Sequence, residues 1–285
     1  MAVRAYQGKS LWYAPAMARS RSSPSGAQRV AVSPARPQRL LAITCEVLAR
    51  SVYLCAARSP QIVDVRLLQR GLHDRPPNLR TVLQAEIDAA GPEHDSVVLA
   101  YGLCGGAMAG LRAGTIPLVV PRAHDCITLF LGDRERYADQ AASHPGTFWY
   151  VQDYLERGDS AGAFAGVGAV SDVARQETHD AYVARYGKDN ADYLMEALGE
   201  WQRHYTRAAF VNMGVGDAAT AGARARDEAA RRGWLYEELA GQLTLIRGLV
   251  DGAWDEADFL VVRPGERLAM AYDDRVIRAE PALPA

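Results

Sequence analysis

Three of the four cysteines, Cys45, Cys104 and Cys126, each follow a short apolar run. The runs are Leu40-Leu41-Ala42-Ile43-Thr44, Ser96-Val97-Val98-Leu99-Ala100-Tyr101 and Ile116-Pro117-Leu118-Val119-Val120. Thiolates bind zinc or an iron–sulfur cluster, and a thiol on a strand-end loop can have its pKa lowered by the helix that follows. Glycines flank Cys104 in Tyr101-Gly102-Leu103-Cys104-Gly105-Gly106, where backbone can approach a metal, a cluster or an anion closely. Arg122, His124 and Asp125 precede Cys126 and supply a cation, a titratable ring and an orienting carboxylate. His73, in Leu72-His73-Asp74-Arg75-Pro76, follows another apolar run and is a fourth candidate ligand.

A lone cysteine in a strand is ordinarily a small buried hydrophobe. Three at strand ends, two of them in polar surroundings, read better as a shared site. Cys55 sits in an apolar helical stretch and is expected in the core. The expected roles are therefore metal ligation by Cys45, Cys104, Cys126 and His73, and acid–base or orienting work by His124 and Asp125. Substrate contacts are expected from Arg122, Tyr101, Gly102 and Gly105. His94 and His144 are expected to face solvent, and His204 to lie on a helix surface. Zinc is the first choice of cofactor, with a [4Fe–4S] cluster as alternative because three thiolates leave one iron free. A metal-free alternative makes Cys104 or Cys126 a nucleophile, with His124 as base and Arg122 holding a small anionic substrate.

Such a site needs a frame that gathers distant residues. Apolar runs alternate with helical stretches, which predicts an α/β fold: a Rossmann-like, mainly parallel sheet with helices on both faces. In such a sheet the carboxyl ends of the strands share one edge, where ligands bind. Strands are expected at 40–45, 62–67, 96–101, 116–120 and 147–150, with a helix opened by Pro76-Pro77. Beyond the glycine-rich piece 161–168, a second, smaller α/β half is expected. It comprises a helix over 173–207, strands at 208–211, 234–236 and 259–262, and helices at 218–232 and 239–249. Trp234, Tyr236 and Trp254 are expected to pack its core. The division is 1–37 as a disordered extension (Arg- and Ser-rich, without acidic residues), 38–150 and 151–270 as the two halves, and 271–285 as a tail.

Composition narrows the rest. The 285 residues are 49% hydrophobic and 23% charged, ordinary globular usage. A formal net charge of −2 argues against nucleic-acid binding. No apolar run approaches the roughly 18 residues of a membrane span. Four cysteines do not make a disulfide scaffold, so a reducing cytoplasm is the expected compartment. Only Lys9 and Lys188 are lysines, which disfavours Schiff-base chemistry. Phosphate-loop, nucleophile-elbow, H-E-x-x-H and C-x-x-C motifs are absent from the sequence. Gly166-Val167-Gly168 lacks the third glycine of a dinucleotide fingerprint.

The sequence resembles the bacterial and archaeal family called domain of unknown function 1638. The resemblance is carried by Ile43-Thr44-Cys45-Glu46-Val47-Leu48, Leu72-His73-Asp74-Arg75-Pro76, Tyr101-Gly102-Leu103-Cys104-Gly105 and Pro121-Arg122-Ala123-His124-Asp125-Cys126 with Gly132. Pro145-Gly146-Thr147-Phe148-Trp149, Gly233-Trp234, Asp251-Gly252-Ala253-Trp254-Asp255 and Phe259 to Pro264-Gly265 extend it from about 40 to 267. Members tend to be encoded beside corrinoid-dependent methyltransferases. The resemblance thus implies a one-carbon, methyl-transfer setting, with a small-molecule substrate or a methyltransferase system as partner, or a non-catalytic accessory role docking such a methyltransferase. Val151-Gln152-Asp153-Tyr154 departs from the family's usual apolar or glycine-tryptophan turn.

Overall fold

The computed structural model describes residues 36–157, 172–199 and 205–282. The expected N-terminal extension lies outside them up to residue 35, as do the glycine-rich piece and His204. In the first half the elements run β1 (Arg39–Cys45), α1 (Ala49–Ala56), β2 (Ile62–Leu68), α2 (Pro76–Asp88), β3 (Ser96–Ala100), β4 (Leu118–Pro121), α3 (Cys126–Leu131) and α4 (Arg134–Ser143). There follow β5 (Thr147–Val151), α5 (Gln152–Glu156), α6 (Asp172–Tyr186), α7 (Lys188–Gly199), β6 (Arg207–Asn212), α8 (Ala218–Arg232) and β7 (Leu235–Ala240). The chain ends through α9 (Thr244–Val250), β8 (Phe259–Val262), β9 (Glu266–Met270) and β10 (Ile277–Pro281).

The fold is α/β with mostly parallel strands. The first sheet has the order β2-β1-β3-β4-β8, parallel but for its last member. The central strands are covered on both faces, which is why they read as unbroken apolar runs: all five residues of β3 are buried. From β1 the chain steps outward to β2, then crosses back over β1 to β3. This reversal is a topological switch point, and the crevice it opens lies at the carboxyl ends of β1 and β3. Cys45 ends β1, and Cys104 follows β3 in a single 3-10 turn, Cys104–Gly106.

The second sheet is smaller, β5-β6-β7, and wholly parallel. Phe148, Tyr150 and Phe210 build its core with the alanines of α8, and Trp234 and Tyr236 pack against them as expected. Trp254 does not. It packs on the first core and donates its indole N–H to Leu249 O at 2.8 Å. The 151–270 half is not one separate unit of sheet either. The apolar segment Phe259–Val262 returns to cover the open edge of β4, pairing antiparallel from Pro121↔Phe259 to Leu118↔Val262. The expected tail from 271 includes β10, which pairs antiparallel with β9. Among the described residues, no helix is long and apolar enough to cross a membrane.

Segments that follow the carboxyl ends of both sheets meet. Arg50 of α1 pairs with Asp153 and Glu156 of α5 at 2.8 and 2.6 Å. Farther along, Gly132, at φ +72°, ends α3 so close to Gln242 beyond β7 that a Cβ would lie 2.6 Å from the glutamine's own.

Candidate functional site

The three cysteines lie at the carboxyl edge of the first sheet, at the end of β1 and in the segments that follow β3 and β4. Cys45 is 2% exposed and Cys126 is 8% exposed, while Cys104 keeps partial access to solvent. Burial pushes the Cys45 and Cys104 thiols up to about 12, and Cys45 further opposes ionisation of Cys104. Burial also pushes Cys126 well up, reinforced by Cys104, Asp125 and Cys45. Cys126 is thus within electrostatic reach of both other thiols, and Cys104 of Cys45. Cys55 is buried in the main core, as expected.

Two loops are pressed together to achieve this. The Leu103 N–H donates to Ala123 O at 3.0 Å, joining the loop after β3 to the loop after β4. Cys104 itself has φ +45°, a left-handed conformation that favours glycine and costs other residues about 1–3 kcal/mol. Backbone strain of this kind concentrates at functional sites.

Tyr101 lies among the cysteines. Its side chain is 1% exposed, and its hydroxyl has no hydrogen-bond partner among the described residues. Burial raises its pKa far above the usual phenol range, and Cys45, Cys104 and Glu46 add to the effect. The His73 ring stacks on Tyr101 with centroids 5.8 Å apart, and His73 Nδ1 is 3.0 Å from Arg70 O. His73 therefore reaches the same edge, beside the tyrosine ring.

Other expected site residues have structural work. Asp125 caps α3, accepting from the N–H groups of Ile127 and Thr128 at 2.9 and 3.4 Å. Its second oxygen accepts from Tyr137 Oη at 2.6 Å. That fixes Cys126 at the first helical position. His124 is exposed and stacks on Tyr137 at 6.2 Å, turned from the role of base beside Cys126. Arg122 reaches into a neighbouring loop and strand. Its guanidinium is spent on backbone carbonyls of Glu256, Arg275 and Ile277, at 2.9, 2.9 and 2.5 Å. Gly102 serves loop packing, because a Cβ there would strike the Asp125 backbone. Gly105 lies within the Cys104–Gly106 turn. His94, expected at the surface, is 9% exposed at the opposite edge and meets Asp64 Oδ2 at 3.0 Å, while His144 is exposed.

Sequence reasoning missed the charged residues around Cys45. Glu46 Oε1 accepts from the Arg70 N–H at 2.9 Å, and Arg157 approaches Glu46 and Asp153 at 3.6 Å. Asp153 is 5% exposed, and burial holds its pKa above the usual carboxylate value. Arg70 follows β2 on the same edge as the cysteines, a signal the strand-end rule contained. Arg157 and Asp153 come from beyond β5, and nothing local foretells that meeting. Among the described residues, no three His, Cys, Asp or Glu side chains close on a single metal ion.

A family model described as a protein of unknown function, DUF1638, matches residues 67–250, well over half of the chain. The match includes Cys104 and Cys126, and Cys45 precedes it. No curated protein and no solved structure matches the chain.

Proposed function

In this chain, which belongs to the DUF1638 family, we propose that Cys45, Cys104 and Cys126 act together as thiolate ligands of a metal centre at the switch point. The observation that carries this is the Tyr101 hydroxyl, buried without a partner and within electrostatic reach of Cys45 and Cys104. An unsatisfied buried polar group costs about 1–3 kcal/mol. A ligand from outside the chain, offering an acceptor at that point, accounts for it.

Burial favours ligation over a free nucleophile. Thiols held near 12 are protonated at neutral pH, and a protonated thiol is a poor nucleophile. A thiophilic metal displaces that proton, so the same burial is compatible with a thiolate–metal bond. The nucleophile reading also loses its helpers, since His124 is exposed and Arg122 is bonded to carbonyls.

Between the two metals, the cluster is the better fit. Zinc binds thiolates at about 2.3 Å, so three sulfurs must sit within about 4 Å of one another. A [4Fe–4S] cluster is larger, spreads its thiolates further, and with three of them leaves one iron open to a substrate atom. Within this frame the Tyr101 hydroxyl would offer a hydrogen bond to an acceptor atom of a substrate bound at the centre. Cys104 marks the solvent approach, and Asp125 holds Cys126 through the helix cap.

The activity assigned to this centre is handling of a methyl or other one-carbon group on a small molecule. The family resemblance supports that setting, including a corrinoid methyltransferase as the system served. Anaerobically purified protein tests the centre: the expected result is broad visible absorption that bleaches on reduction and vanishes in Cys104→Ala. Stoichiometric zinc without iron replaces the cluster by zinc. Colourless, metal-free protein with one fast-alkylating thiol overturns ligation in favour of the nucleophile.

A further inference from the structure

We propose that Arg70, together with Tyr101, forms an oxyanion-binding subsite beside Cys45 that takes the carboxylate or phosphate group of a small substrate. The proposal rests on reading this crevice as a ligand site, not on which metal the thiols hold.

Two buried donors there lack acceptors. Arg70 Nη1 is buried without a hydrogen-bond partner, and so is Tyr101 Oη. Among the described residues the Arg70 guanidinium makes no ion pair, although its Cζ lies 4.8 Å over the Tyr154 ring. Such stacking fixes the plane of the fork while leaving its edge free to bond a ligand. His73 links the two residues: its ring stacks on Tyr101 with centroids 5.8 Å apart, and its Nδ1 lies 3.0 Å from Arg70 O.

Nearby carboxylates do not take up this charge. Glu46 receives the Arg70 backbone N–H on one oxygen and faces Arg157 with the other. Asp153 and Glu156 are engaged by Arg50. Arg70 is therefore the guanidinium of this group left over, and a planar fork matches a carboxylate or phosphate edge. By contrast, the cation that sequence spacing suggested for this task, Arg122, has its Nε and Nη1 donors bonded to backbone carbonyls.

The test is calorimetric titration of acetate and, separately, inorganic phosphate into the full chain. The proteins compared are the wild type, Arg70→Gln, Tyr101→Phe and a Cys45/Cys104/Cys126→Ala triple variant, with near-ultraviolet circular dichroism confirming each fold. Wild type is expected to bind at least one anion, and the preferred one names the group. Arg70→Gln is expected to weaken binding about tenfold or more, and Tyr101→Phe about fivefold. Arg70→Lys, keeping charge without the fork, is expected to recover only part of the loss. The triple cysteine variant is expected to keep the anion affinity, so a failed metal centre and a failed subsite are told apart. Absence of binding by wild type, or equal affinity in folded Arg70→Gln, overturns the subsite.

Discussion

Gly102 lies directly on the backbone of Asp125: a Cβ at Gly102 would come within 2.4 Å of Asp125 Cα. The loop after β3 can rest on the loop after β4 only because no side chain intervenes, and that contact carries Cys104 toward Cys126. Gly102→Ala is expected to cost about 1–3 kcal/mol by overpacking and to lower metal content as well. Urea denaturation and metal analysis check both; an unchanged midpoint with full metal refutes the contact's role.

The left-handed Cys104 offers a test of stored strain. In metal-free protein Cys104→Gly is expected to be more stable than Cys104→Ala by about 1 kcal/mol, because glycine adopts positive φ freely. Neither variant is expected to retain metal. Paired thermal melts decide, and an alanine variant as stable as the glycine variant shows that the residue is unstrained.

Arg122 is expected to matter for folding and not for ligand affinity. Arg122→Met strands the carbonyls of Glu256, Arg275 and Ile277, with an expected loss of about 3 kcal/mol or more. Oxyanion affinity of the folded protein at low temperature is expected to stay as in wild type. An affinity loss in a stably folded variant would return Arg122 to the binding site.

Asp125 predicts a pH dependence with a definite sign. Burial holds its folded pKa above the usual aspartate value despite the cap bonds and Tyr137. The folded state therefore binds its proton more tightly than the unfolded state does. Its contribution is fully present below about pH 4 and is lost as pH rises through the higher folded value. Asp125→Asn keeps an oxygen for the Ile127 and Thr128 N–H groups and cannot ionise. The stability of wild type relative to this variant is expected to fall from pH 4 toward neutrality. A difference that is flat, or that rises with pH, contradicts the assignment.

The frame was legible because its strands are buried on both faces: Leu40 to Cys45 and Ser96 to Ala100 show as apolar runs. Helix α8 matches its expected span, and the strand-end rule brought Cys45, Cys104 and Cys126 to one edge. What escaped depends on partners far along the chain. Phe259–Val262 reads as a strand, but its return to β4 is set by an open edge about 140 positions earlier. The half-buried, charge-bearing β9 and β10 lack an apolar run, and β10 fell within the expected tail. Arg122 beside Cys126 suggested a ligand clamp because spacing cannot show that β10 supplies acceptors. His124 precedes the Asp125 cap and is exposed, stacked on Tyr137, a partner that local spacing does not show.

The most direct measurement of the central claim is iron, sulfide and zinc per chain in anaerobically purified wild type and in four single variants. These are Cys45→Ala, Cys104→Ala, Cys126→Ala and Cys55→Ala. The account predicts about four iron and four sulfide per chain in wild type and in Cys55→Ala, and a collapse of both in each of the other three. Wild-type protein free of bound metal, or metal retained when any one of the three strand-end cysteines is removed, would contradict it.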